Sequence, residues 1–325
     1  MDPQASLLSP RVLDRARSAA DLRSRGSRWI LAVAAAWCRL EAFAANLAET
    51  RSHPLVMRVV DSVQRVSGGI WSTALDVKEK TWLTVRIYDD CPAFRASGNE
   101  LFEVETDLFA SRLPRPPARI LVGACGTGRE AIALAARGYD VEAFDPAEDC
   151  VIESGRRLSD RGLVRRLSYE QLSAIVLDGA TADPFRDTRF DAVVLGCGSL
   201  SHVLDQCEQQ RLMRALQSLC PSGPIIGSFL WVTECTRPPI GKAAHLGIRI
   251  GRAIARMRGL PPGDLQRLSY RARRGFAYTF TQREFEELAL NVQRHVAWER
   301  HGARPSLYVT LLPIEASARV AIADR

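Results

Sequence analysis

From residue 119 onward, short apolar runs alternate with stretches whose apolar positions recur at helical spacing. Arg119–Val122, Val141–Phe144, Ala174–Leu177, Phe190–Leu195 and Ile225–Leu230 predict strands. Between them Arg129–Ala136, Ala147–Asp160 and Gln206–Leu219 predict helices, the last stopped by Cys220-Pro221-Ser222-Gly223. Thr281, three residues ahead of Glu284, spells a capping box and a helix start. Two further strands are expected near Val292–Trp298 and Ser306–Leu312. Such alternation predicts an α/β fold: a Rossmann-like, seven-stranded, mostly parallel sheet with helices on both faces. The strand from Ser306 to Leu312 is expected to run antiparallel to its neighbours.

The first hundred residues show no strand pattern. Apolar residues recur at helical spacing (Leu31, Ala35, Cys38; Val56, Val59, Val60, Val63), with breaks at His53-Pro54 and Ser67-Gly68-Gly69. Residues 1–100 are therefore read as a helical cap or an oligomer arm, the latter implying a homodimer through these helices. Residues 101–316 form the core and 317–325 a C-terminal tail. Within the core, residues 233–275 interrupt the alternation with a probable helix carrying Arg249, Arg252, Arg256 and Arg258, then Arg267, Arg271, Arg273 and Arg274. This insertion reads as a lid over an acidic substrate, as a solvated helix face, or as a basic amphipathic helix on a membrane surface.

At 325 residues and 46% hydrophobic content the chain can bury one sizeable core plus an accessory part. The net charge of +7 changes the picture little, because the basic residues are nearly all arginine, with acids interspersed and lysine only at Lys78, Lys80 and Lys242. Nothing in that patterning marks a nucleic-acid partner. The eight cysteines and five histidines are scattered with no C-x-x-C spacing, so no metal is expected and free thiols in a reducing cytoplasm are. The apolar run Trp29–Cys38 is ten residues long, half of the roughly 20 that a membrane span needs, so no transmembrane segment is expected.

The candidate chemistry lies in residues 119–146. A strand enters Gly123-Ala124-Cys125-Gly126-Thr127-Gly128, a helix follows, and a second strand ends at Asp145-Pro146. Glycines let the backbone approach a ligand, the helix start supplies free N–H groups, and an acid after the second strand can accept from a ribose diol. A pyrophosphate-binding turn also fits here, with Ala131 at its third glycine position.

The spelling Ala124-Cys125-Gly126-Thr127-Gly128 resembles the glycine turn of class I S-adenosylmethionine-dependent methyltransferases of the small-molecule type. Four further landmarks match that family in order: Asp145 seventeen residues after Gly128; Asp178-Gly179-Ala180 with Pro184-Phe185 and Phe190-Asp191-Ala192-Val193; Pro221-Ser222-Gly223; and the helix start from Phe280 to Phe285. Two positions depart from it, Val122 where an acid is usual and Ala124 where a glycine is usual. The resemblance implies S-adenosylmethionine as cofactor. Its methionine part would be lined by Gly123, Ala124, Gly126 and Gly128, its ribose held by Asp145 with Pro146 beside it, and its adenine amine by Asp178 with Gly179. Gly196 and Cys197 would flank the sulfonium, and Tyr88 would close over the cofactor.

The reaction so implied is displacement at the sulfonium methyl by an oxygen, nitrogen or carbon nucleophile of a small or medium-sized metabolite. His202 is the first candidate for a base, ahead of His245, Glu103 and Glu105. Gly196-Cys197-Gly198-Ser199 lacks the Asn/Asp-Pro-Pro-aromatic run of base-amine methyltransferases, and Cys197 has no adjacent proline, as a cytosine-C5 nucleophile would. A nucleic-acid methyltransferase and a catalytically silent binding protein are the competing readings; Val122 and Ala124 favour the latter.

Overall fold

The computed structural model describes residues 25–51, 54–90, 100–179, 185, 188–232, 241–261, 267–301 and 304–314. Three helices open it: α1 (Arg25–Arg51), α2 (Pro54–Ala74) and α3 (Val77–Asp90). The core runs α4 (Glu103–Arg112), β1 (Arg119–Gly123), α5 (Arg129–Ala135), β2 (Asp140–Asp145), α6 (Glu148–Leu158), β3 (Gly162–Arg166), α7 (Tyr169–Asp178), β4 (Ala192–Leu195), α8 (Gln206–Leu219) and β5 (Ile225–Ser228). Then come β6 (Leu230–Val232), α9 (Lys242–Met257), β7 (Leu268–Arg271), β8 (Gly275–Thr281), α10 (Gln282–Leu290), β9 (Arg294–His301) and β10 (Arg304–Pro313).

Seven strands form one sheet in the order β3-β2-β1-β4-β5-β10-β9. The first five are parallel, and β10 runs antiparallel to both β5 and β9, as expected from the sequence. Register positions the site. Gly123 at the end of β1 pairs with Phe144 on one side and Leu195 on the other. The residues that follow, Ala124, Asp145 and Gly196, therefore leave the sheet side by side, at the carboxyl ends where open α/β sheets bind ligands. A second sheet, β6-β8-β7, was not legible in the sequence.

Three expectations are corrected. Ala174–Leu177 is helical, the inner part of α7, because Ser168 and Gln171 cap one another's backbone and commit the chain to a helix. The third strand lies earlier, at Gly162–Arg166; its half-exposed edge position carries arginines and hides its apolar pattern. Ser67-Gly68-Gly69 does not break the chain but sits inside α2. A Cβ on Gly69 would strike the α9 backbone at Ala244 and Ile248, and one on Gly247 or Gly251 would strike α2 at Val66 or Ile70. Small residues here let two helix backbones touch.

The described part of residues 1–100 is helical, as the periodicity predicts. Its apolar helix is longer than Trp29–Cys38: Arg28–Leu47 reaches the length and composition of a membrane span, though its inner face packs on protein through Ile30, Leu31, Ala34 and Cys38. Pro184, residues 91–99 and 233–240, and the tail 317–325 lie outside the described residues.

Candidate functional site

The glycine turn is held from two sides. The Cys125 N–H donates to the Phe144 carbonyl at 3.0 Å, and the Gly126 N–H donates to Asp145 Oδ2 at 2.8 Å. A side chain on Gly123 would collide with Leu195 and Phe144. Gly126 and Gly128 adopt φ of 54° and 89°, left-handed values that favour glycine, and Ala124 shares that region at 48°. Asp145 is buried, and its second oxygen accepts from the Ala147 N–H at 2.9 Å, with Pro146 between them. Burial lifts its carboxyl to about 6 against the two backbone donors. Each oxygen keeps a lone pair for a diol.

Gly196 and Cys197 follow β4 directly. Gly196 must lack a side chain because Glu130 Oε1 occupies the place a Cβ would fill. Cys197 turns its Sγ toward Arg129 Nη2 at 3.2 Å and Glu130 Oε1 at 3.4 Å, and burial with the Glu130 charge raises its thiol to about 12. A thiol so raised is a poor nucleophile. The ligand atoms of Glu105, Glu130 and Cys197 lie within 4.8 Å of one another, and the Arg129 guanidinium already pairs with both carboxylates. Arg129 forks onto Glu105, bonds Glu130 at 2.7 Å and lies over the Phe102 ring. Glu105 is fully buried and also accepts from the Tyr308 hydroxyl and the Phe102 N–H. It is a structural anchor, not a base. This network joins α4, α5, β10 and the loop after β4, and of its members Glu105 and Cys197 stood out in the sequence.

His202 sits in a short 3₁₀ turn after β4. Its Nδ1 faces the Phe276 carbonyl at 2.8 Å, which fixes the proton on that nitrogen and leaves Nε2 to accept from the Tyr88 hydroxyl at 3.0 Å. Burial, with Arg274 nearby, lowers the imidazole below its ordinary value. Burial and the Asp145 charge raise the Tyr88 phenol. Thus α3, the β4 turn and the β7–β8 turn converge on one hydrogen-bonded pair. Helix α3 is tied down on either side: the Phe276 N–H donates to Thr84 Oγ1 at 3.0 Å, and the Asp149 N–H at the start of α6 to Asp89 Oδ1 at 3.3 Å.

Asp178 and Gly179 fall outside this arrangement. Asp178 ends α7 and pairs with Arg211 of α8 at 2.8 Å, with its side chain 58% exposed. Gly179 (φ 67°) ends that helix in the left-handed region. The chain leaving β3 is what meets Asp145: the Leu167 N–H donates to the Asp145 carbonyl, and Tyr169 packs edge-on to Phe144 with its hydroxyl on Ser199. The Ser168-x-x-Gln171 cap was the signal that could have revealed this. Of the insertion's arginines, Arg274 is exposed but its charge is felt at His202 and Tyr88, Arg258 pairs with Glu79, and Arg249, Arg252 and Arg256 lie exposed on α9. His245 is likewise exposed on α9, and Glu103 lies on the outside of α4.

Residues 120–223 match the methyltransferase domain family. A demethylmenaquinone methyltransferase of Clavibacter sepedonicus is 31% identical over 171 residues, which cover 51% of this chain and 63% of that relative's length. Among solved structures, the amino pentose methyltransferase CalS10 of Micromonospora echinaspora superposes with a TM-score of 0.46 at 16% identity, over 70% of this chain and 96% of the other. The magnesium protoporphyrin IX methyltransferase of Synechocystis gives 0.43 at 14% identity, over 74% and 98%. The match to the methyltransferase domain family thus covers residues 120–223, and the chain spans less than two thirds of the Clavibacter relative's length.

Proposed function

We propose that the protein is an S-adenosylmethionine-dependent methyltransferase of the cytoplasm, acting on an oxygen, nitrogen or carbon nucleophile of a small or medium-sized metabolite. The observation that carries this reading is the emergence of Ala124, Asp145 and Gly196 side by side, with the Gly126 N–H already held by the Asp145 carboxylate. Asp145 would take the ribose hydroxyls, the turn from Gly123 to Gly128 the methionine part, and Gly196 with Cys197 the sulfonium side. Leu167, Ser168 and Tyr169 replace Asp178 and Gly179 as the adenine wall.

The cofactor supplies an activated methyl group, so the protein's task is to align acceptor and sulfonium and to take up a proton where the acceptor carries one. Burial lowers the His202 imidazole and Nδ1 carries its proton, so Nε2 is its acceptor, engaged by the Tyr88 hydroxyl. Tyr88 bridges that nitrogen to the cleft. A proton leaving the acceptor would pass to the Tyr88 oxygen as the Tyr88 proton moves to His202 Nε2. Arg274 beside the pair supports an acceptor that bears negative charge.

The test is thermal unfolding with and without S-adenosylhomocysteine, S-adenosylmethionine, NAD and NADP. The two adenosyl compounds should raise the melting temperature and the nicotinamide cofactors should not, since only a ligand of the native state stabilises it. Stabilisation by the nicotinamides alone would overturn the reading. A silent binding protein would show the adenosyl shift yet never consume the methyl group with any acceptor.

A further inference from the structure

The solvent side of α1 is mostly apolar, broken by Arg28, Arg39 and Asn46. Trp29, Val33, Trp37, Leu40, Phe43 and Leu47 form one stripe, with Trp29 60% and Phe43 66% exposed. At about 1.5 Å per residue the stripe is about 27 Å long. Among the described side chains of α1, the exposed charges are Arg28 and Arg39. Of its two acids, Glu41 is turned inward to accept from Ser67, Trp37 and Tyr270.

Phe43 also lines the mouth of a cavity of about 250 Å³ between α1, α3 and the β7–β8 turn. Leu83, Ile87 and Ala272 give that cavity an apolar floor, and Arg39, Arg86 and Arg273 face it against one carboxylate, Asp90. Arg39 and Arg86 both pair with Asp90, at 2.7 and 3.1 Å. Apolar stripe and cationic cavity thus join at one residue. Helix α9 repeats the theme, with Leu246, Ile250 and Met257 exposed beside Arg249, Arg252 and Arg256 and no acid in the helix.

We propose that α1 lies in the surface of an anionic phospholipid bilayer, its tryptophan and phenylalanine side chains among the acyl chains and a lipid phosphate in the Arg39–Arg86–Arg273 cavity. A long polar-flanked apolar face with aromatic residues and arginines binds in the interfacial plane, and basic groups next to it select anionic lipid. The inner face of α1 is already occupied by α2 and α3 residues, so the helix rests on the bilayer and does not cross it. A second copy is a poorer occupant: among the described side chains the exposed face of α1 has arginines and no acid with which a twin could pair them. The inference is independent of the proposed reaction, because its test measures no turnover.

Full-length protein is sedimented with vesicles of phosphatidylcholine alone or mixed in equal parts with phosphatidylglycerol. Binding to the mixed vesicles only, weakening with salt, is the expected result. Leu40→Glu/Phe43→Glu should cut the bound fraction by about tenfold or more, and Arg39→Gln/Arg273→Gln should erase the preference for the anionic vesicles. Melting temperature and the S-adenosylhomocysteine shift should stay unchanged in both. If the first pair fails to fold, Trp29→Ser/Val33→Ser tests the same face. Three results would overturn the proposal: no sedimentation with either vesicle, equal binding to both, or a dimer in ultracentrifugation that the α1 substitutions split.

Discussion

The floor of the site and its roof are built from different kinds of contact. The floor, residues 119–146, closes within 30 positions of sequence: Gly126 reaches Asp145 and Cys125 reaches Phe144. The roof joins residues far apart: Tyr88 to His202 across 114 positions, His202 to Phe276 across 74, and Thr84 to Phe276 across 192. Spacing along a chain records the first kind directly. It records the second only as scattered residues with no common period, because partners on different elements need no fixed separation.

Substitutions can sharpen this contrast, beginning with the roof. His202→Ala should lower turnover by about 10²–10⁴-fold with S-adenosylhomocysteine affinity unchanged. In the parent protein the acid limb of the turnover profile should lie below about 6.5, the ordinary imidazole value, because burial keeps His202 unprotonated to lower pH. An unchanged turnover would make the roof a structural lock. The same histidine should cost stability in acid: the unfolded chain takes up the proton first, so the melting temperature falls as pH drops through and below the imidazole range.

At the junction of floor and roof, Arg129→Met should destabilise by about 3–5 kcal/mol, because Glu105 would lose its buried partner. Denaturant unfolding would read this, and Arg129→Met/Glu105→Gln should recover part of the loss. On the floor, Asp145→Ala should weaken S-adenosylhomocysteine binding by about 1–3 kcal/mol in calorimetry. The smallest effect belongs to Asp178→Ala, within about 0.5 kcal/mol in both stability and binding, as for an exposed surface pair. A loss of cofactor affinity there equal to that of Asp145→Ala would return Asp178 to the site.

The contrast also explains what the sequence allowed. The glycine turn, Asp145 and the antiparallel last strand were legible because each is written in a run of fewer than ten residues. The Phe190–Val193 landmark was legible too, and its Asp191 ties β1 to β4 by accepting the Arg119 N–H at 2.7 Å. Gly223 of the Pro-Ser-Gly turn is required where a Cβ would meet the Asp191 carbonyl. Asp178 was misplaced because an acid after an apolar tetrapeptide matches a strand end as well as a helix end, and the half-exposed edge strand β3 gave no competing signal. The α4–α5–β10 ion network was invisible as a network, since Glu105, Arg129 with Glu130, and Tyr308 sit on separate elements with no fixed spacing between them.

The glycine contact between α2 and α9 has a consequence in time. Gly69 and Gly247 touch, yet 178 residues separate them. At ribosomal rates of about 5–20 residues per second, α2 waits on the order of 10–40 s for the helix that covers it. Through that interval β1 to β5 are synthesised while the glycine face of α2 still lacks the helix that covers it. The wait is far longer than the microseconds in which helices form, so the cap is the first part of the chain to take shape and among the last to be sealed.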